Sequence, residues 1–141
     1  MSSLFRAKCR CGQLVLTFTQ PPAAQLVCHC QDCRSVGGKP FASVAFFKAE
    51  EGCEKGDFST QDLTGGSGKP KQYRSCKNCG EFVYATVDVL QGLLGVEAER
   101  VEQPFEFKPM AHVWTCEKVD GINIPEGTVQ FPKGPPFRPG R

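Results

Sequence analysis

The sequence has no secretory signal and no membrane-spanning run: residues 1–8 hold no apolar signal core, and no apolar stretch approaches the length that crosses a bilayer. Both absences place the chain in a reducing cytoplasm, without a membrane partner. A net charge of only +2 over 141 residues gives no electrostatic case for nucleic acid, whose footprint is a strongly basic stripe. The loop Gly65-Gly66-Ser67-Gly68 has neither the spacing nor the Lys-Ser/Thr ending of a phosphate-binding signature, and it reads as a hairpin loop. No segment keeps a 3.6-residue apolar period over ten or more positions, so little helix is expected. The length allows a single domain, 1–130, followed by a basic Pro/Gly-rich tail, 131–141.

What the chain does have is cysteine. There are nine, an odd number, and a complete disulfide framework would leave one over. In a reducing compartment such density serves metal or chemistry rather than disulfides. Seven of the nine fall into groups: Cys9/Cys11, Cys28/Cys30/Cys33 and Cys76/Cys79. A structural zinc closes its tetrahedron with four protein ligands, whereas a catalytic zinc keeps three and leaves one position open. The seven divide as four plus three, with Cys9, Cys11, Cys76 and Cys79 stapling two hairpins through a closed site. Cys28, Cys30 and Cys33 then form an open one. A second division remains possible, in which the triplet takes Cys53 or Cys116 as a fourth ligand and both ions are structural. Taken alone, Cys53 and Cys116 read as small core residues.

Around these groups the sequence alternates in strand fashion. Lys8–Thr19 reads as a hairpin arm in which Cys9 and Cys11, two apart, face the same way. Gln25–Val27 reads as a short strand delivering the chain to Cys28, with a helical turn at Cys33-Arg34-Ser35. Phe41–Lys48, rich in aromatic and β-branched residues, reads as a buried strand containing Phe46 and Phe47. Further strands are expected over 71–75, 81–87, 89–96 and 112–116, and Gly80 suits the sharp reversal after Cys79.

Taken together, Cys9-x-Cys11-Gly, Cys28-His-Cys30-x-x-Cys33-Arg, Gly38-x-x-Phe41 and Cys76-x-x-Cys79-Gly resemble the glutathione-dependent formaldehyde-activating enzymes, or S-(hydroxymethyl)glutathione synthases. Pro109-Met-Ala-His112-Val is similar to an element near that family's C-terminal end. The superfamily also includes centromere protein V and, more remotely, small zinc proteins that bind Rab GTPases. Two positions depart from the family pattern: Ser75 stands where Phe is usual, and Leu93-Leu94-Gly95 where many members have a Leu-Asp turn.

The resemblance implies a mainly β fold of small antiparallel sheets, tent-like and stapled by zinc, with two zincs per chain. It also implies a carbon–sulfur lyase or synthase that uses glutathione and formaldehyde. In that chemistry Cys28, Cys30 and Cys33 carry the catalytic metal, and Arg34, Gly38 and Lys39 are the candidates for holding the two glutathione carboxylates, Arg34 and Lys39 as cations and the Gly37-Gly38 turn through its backbone N–H groups. His29, set between two ligands, is expected to turn away from the metal. His112 is expected to be a hydrogen-bonded core residue. A contrasting function is a non-catalytic zinc module that recruits a partner through its surface, including the basic tail. A third is a redox switch in which Cys30 forms a mixed disulfide with glutathione.

Overall fold

Alternating apolar residues from Leu14 to Phe18 send every second side chain to one side, and Leu14, Leu16 and Phe18 are all buried. The computed structural model describes residues 5–64, 68, 70–87 and 92–134. Strands β1 (Phe5–Lys8) and β2 (Val15–Phe18) form the expected hairpin, and β5 (Gly52–Lys55) completes a three-stranded sheet in the order β1-β2-β5. The second sheet has seven strands: β3 (Ala24–Cys28), β4 (Ala42–Lys48), β6 (Phe58–Leu63), β7 (Lys71–Cys76), β8 (Phe82–Val87), β9 (Leu93–Glu97) and β10 (Ala111–Val113). Their order is β10-β3-β4-β9-β8-β7-β6, antiparallel throughout except for the parallel β10–β3 pair. One helix, α1 (Gln31–Gly37), is present besides short 3-10 turns among the described residues. The fold is mainly β with little helix, as the sequence implies.

Consecutive phenylalanines on β4 show how the larger sheet is covered. Phe47 joins the core shared with the small sheet, stacking on Phe18 at 4.3 Å between ring centroids. Phe46 points the other way, into a second cluster with Leu26, Leu93 and Ala111. β4 is therefore buried on both sides. Between Arg74 and Ser75 the β7–β8 register shifts, leaving Val83 without a cross-strand partner; Val83 and Tyr84 are both fully buried in the first core.

Several elements differ from the sequence reading. Cys9 and Cys11 lie in the turn after β1 rather than in a strand. α1 is longer than the single expected turn. β5 and β6 were not anticipated, because their mostly exposed faces show no apolar alternation. The last strand ends at Val113, and Thr115–Glu117 is a 3-10 turn. The strand expected from Val89 is β9, starting at Leu93. Its first residues lie outside the described ones, as do Gly65–Ser67 of the hairpin loop and 135–141 of the tail.

Gly56, between β5 and β6, is required by close approach. At φ +103° any Cβ would stand 2.0 Å from the Gln13 carbonyl oxygen, which is backbone and cannot swing aside. Gly56→Ala is expected to destabilise the protein by about 3 kcal/mol or more. A urea titration against wild type checks this.

Candidate functional site

The two outer cysteine pairs meet through matched turns. In the first, the Cys9 N–H donates to the Leu14 carbonyl and the Gly12 N–H to the Cys9 carbonyl. In the second, the Cys76 N–H donates to the Glu81 carbonyl and the Gly80 N–H to the Cys76 carbonyl. Gly12 and Gly80 both take positive φ, 81° and 78°, to make the reversal. The Arg10 N–H donates to Glu81 Oε1 at 2.6 Å, tying one turn to the other.

As a result the sulfurs of Cys9, Cys11, Cys76 and Cys79 all lie within 4.8 Å of one another. Cys9 and Cys11 sulfurs are 3.5 Å apart, and those of Cys11 and Cys76 are 3.6 Å apart. Backbone N–H groups of Leu14, Asn78 and Cys79 point at the Cys9 and Cys76 sulfurs at 3.3–3.4 Å. The Cys11 thiol is held down to about 6, chiefly by the Asn78 side chain and then by the Gln13 N–H.

The triplet forms where β3 hands over to α1. Cys30 is the helix N-cap, its sulfur accepting from the Cys33 N–H at 3.3 Å where an oxygen usually serves. One helical turn then brings Cys33 back to Cys28, sulfur to sulfur at 3.5 Å. All three sulfurs fall within 4.8 Å of one another, and no other His, Cys, Asp or Glu among the described residues joins them. Three thiols so close cannot ionise together unaided. Negative charge settles on Cys30, whose pKa is pulled far down by hydrogen bonds from Cys28 and Cys33. Cys28 rises because it donates to Cys30 and is buried. For Cys33, a hydrogen bond with Cys28 pulls down, but donation to Cys30 and burial outweigh it and push the thiol up to about 12.

Alternation along β7 serves both clusters. Cys76 faces the four-cysteine side, while Lys71 and Tyr73 face the opposite side, toward α1. The Tyr73 hydroxyl lies 3.3 Å from Cys33 Sγ. Lys71 is nine-tenths buried and pairs with Asp32 of α1 at 2.8 Å. Burial works against the Lys71 charge, but the bond to Asp32 and the Cys30 charge outweigh it, and its pKa rises. Burial above all pushes the Tyr73 hydroxyl well up, so it keeps its proton. Sequence reasoning missed these three residues. The available signal was Lys-x-Tyr in a strand that ends on a grouped cysteine.

The remaining candidates separate. His29 is fully buried and turned from the cluster, with its Nε2 2.9 Å from His112 Nδ1, and burial above all lowers its pKa to about 4. Burial lowers the His112 pKa as well, and the His29 ring packs on Phe41. Arg34 reaches back to donate to the His29 carbonyl at 3.2 Å. Gly38 closes α1 in the left-handed conformation, and its N–H donates to the Arg34 carbonyl; that N–H is committed to the cap rather than open to an anion. Lys39 pairs with Glu99 and lies 3.9 Å from Glu97. Cys53 and Cys116 are exposed, contrary to the core reading, and neither approaches the triplet. All nine cysteines are free thiols.

The donor sets fit zinc. Two thiolates about 2.3 Å from a tetrahedral ion stand about 3.8 Å apart, a few tenths of an ångström from the sulfur separations found here. The four-sulfur set is complete, and the three-sulfur set has one position to spare.

The model of the glutathione-dependent formaldehyde-activating enzyme matches residues 4–117. The chain belongs to this family. A crystal structure of a Rhodobacter sphaeroides protein, a structural genomics target, shares the fold at 17% identity with a TM-score of 0.53, covering 89% of this chain and 98% of that one. No curated protein matches the chain. Family membership ties the chain to glutathione and formaldehyde, and both cysteine clusters could hold a metal. Among the described residues no helix is long and apolar enough to cross a membrane.

Proposed function

We propose that the protein is a zinc-dependent carbon–sulfur lyase or synthase that joins a thiol such as glutathione to formaldehyde or a related aldehyde. The observation that carries this reading is the three-sulfur cluster, short of a fourth ligand, beside a complete four-sulfur cluster in a member of this family. Cys9, Cys11, Cys76 and Cys79 would hold a closed structural ion, and Cys28, Cys30 and Cys33 an open one. When bound by the triplet, zinc supplies acidification of a thiol at neutral pH.

The reaction balances without a further reactant. A carbon–sulfur bond forms between thiol sulfur and aldehyde carbon, the carbonyl π pair moves to oxygen, and the thiol proton ends on that oxygen. The reverse is the lyase direction. The chain's own residues contribute charge and position. Three thiolates facing one divalent ion leave a negative surplus, which the Lys71 ammonium beside Cys30 offsets and the Tyr73 hydroxyl at Cys33 disperses. Lys39 and Arg34 are the cations in reach of α1 for the substrate carboxylates; Arg34 must release the His29 carbonyl to serve.

Tyr73→Phe is expected to weaken divalent metal binding at the triplet by about 10- to 100-fold. Competition with a chromogenic chelator reads this as one labile zinc per chain, the other unchanged. The function itself is tested by calorimetric titration of reduced, zinc-replete protein with glutathione after the metal has been counted. Saturable binding with two zincs per chain supports the reading. No binding with both zincs present removes glutathione and brings forward another thiol or the non-catalytic module.

A further inference from the structure

We infer that the cavity at the C-terminal end of α1 receives the zwitterionic γ-glutamyl end of the thiol substrate, with Glu97 as the partner of its ammonium group. The cavity measures about 220 Å³; Val36, Gly37, Lys39, Phe82, Glu97 and Arg100 line it, and Cys79, Gly80 and Glu81 of the four-cysteine turn belong to the same wall. That is below the roughly 300–1,000 Å³ of sites that enclose a whole drug-sized ligand, so it suits one end of a tripeptide rather than all of it.

Two connections link the cavity to the triplet, although no triplet cysteine lines it. Cys33, Val36 and Gly37 stand three and four residues apart and share one face of α1. The Phe82 ring packs on Tyr73 at 5.7 Å, and the Tyr73 hydroxyl touches Cys33 Sγ. A thiol at the triplet and a charged group in the cavity can therefore belong to one molecule.

Glu97 indicates the chemistry of that group. Its side chain is 5% exposed, yet Oε1 has no hydrogen-bond partner. Lys39 lies 3.9 Å from Oε1, too far for a hydrogen bond, and is already engaged by Glu99. A buried acceptor left without a donor is costly unless a ligand completes it. Gly37 lies against Glu97, at a place where a Cβ would stand at ordinary contact distance, 3.8 Å, from Oε2. Lys39 and Arg100 on the same walls are cations that could meet a carboxylate on release from their present partners, Glu99 and Glu81. An acceptor and cations side by side match an α-amino acid head, which carries ammonium and carboxylate on one carbon.

The inference rests on the thiol reading for the identity of the substrate, and the test separates the two. Zinc-loaded protein is titrated with γ-glutamylglycine, which has no thiol, and followed by the amide resonances of Gly37 and Phe82. Those resonances should shift on saturation. Glu97→Gln should weaken γ-glutamylglycine and glutathione alike by about 10- to 100-fold, and should abolish wild-type preference for glutathione over its analogue lacking the α-amino group. Unmoved resonances in the wild type, or a preference that survives Glu97→Gln, overturns the inference. Cobalt in place of zinc reports the thiol separately. If glutathione shifts the amides but leaves the cobalt spectrum unchanged, thiol activation fails and the cavity assignment stands.

Discussion

Cys76→Ser should leave no cooperatively folded protein. Cys76 is 1% exposed and sits among Leu14, Phe18 and Tyr84 in the main core, while its sulfur faces Cys11 across the junction of the two hairpin turns. With zinc in the four-sulfur cluster, the ion contributes about 10–16 kcal/mol of apparent binding free energy to the folded state. A domain's net stability is about 5–15 kcal/mol. Losing the first term therefore exceeds what the rest of the fold holds in reserve. A serine oxygen is a poorer zinc ligand than a thiolate, and the Asn78 and Cys79 N–H groups that now point at the sulfur cannot replace the lost metal bond. Thermal denaturation followed by circular dichroism should show no cooperative transition, and a strong chelator should do the same to the wild type. A cooperative melt near the wild-type midpoint would mean that the fold does not depend on metal at these sulfurs.

Cys30→Ser should behave in the opposite way, with the fold retained and turnover lost. Serine is among the best N-cap residues, so its hydroxyl can take over the Cys33 N–H that the Cys30 sulfur now accepts, and α1 keeps its start. The triplet, however, falls to two sulfurs. Outer partners of metal ligands are worth 10- to 100-fold, and removal of a ligand should cost at least about 100-fold in turnover of thiol and aldehyde. Metal analysis should fall from two zincs per chain to one, with the melting curve little changed. Intact turnover in this variant would mean that the triplet is not the reacting centre.

The contrast between these variants shows what could be read directly from the sequence. Cysteine spacing anticipates the four-plus-three grouping as one of two divisions, although Cys9 and Cys11 meet in a turn and not along the strand that their spacing suggests. The strands at Phe41–Lys48 and Lys71–Ser75 were legible because their apolar or alternating residues are buried. β5 and β6 were not, since their side chains are largely exposed and their pairing is decided by neighbours distant in sequence. The partners of the triplet were hidden for the same cause. Tyr73 lies forty residues from Cys33, and only the folded sheet brings its hydroxyl to that sulfur. Glu97 gives no sequence signal at all; the lack of a hydrogen-bond partner at its Oε1 is a property of the wall it stands in. Gly38 was legible as a turn, but its N–H was read as free when the helix end requires it.

The two faces of β7 carry one further implication, concerning errors of strand pairing. A strand displaced by one residue turns every side chain to the opposite side of its sheet. In β7 that slip would carry Cys76 away from Cys11 and Tyr73 away from Cys33 in a single movement. Neither cluster could then assemble. Were both clusters to hold metal, binding would act as a proofreading step on the register of a sheet whose outer strand, β6, is too polar to enforce it.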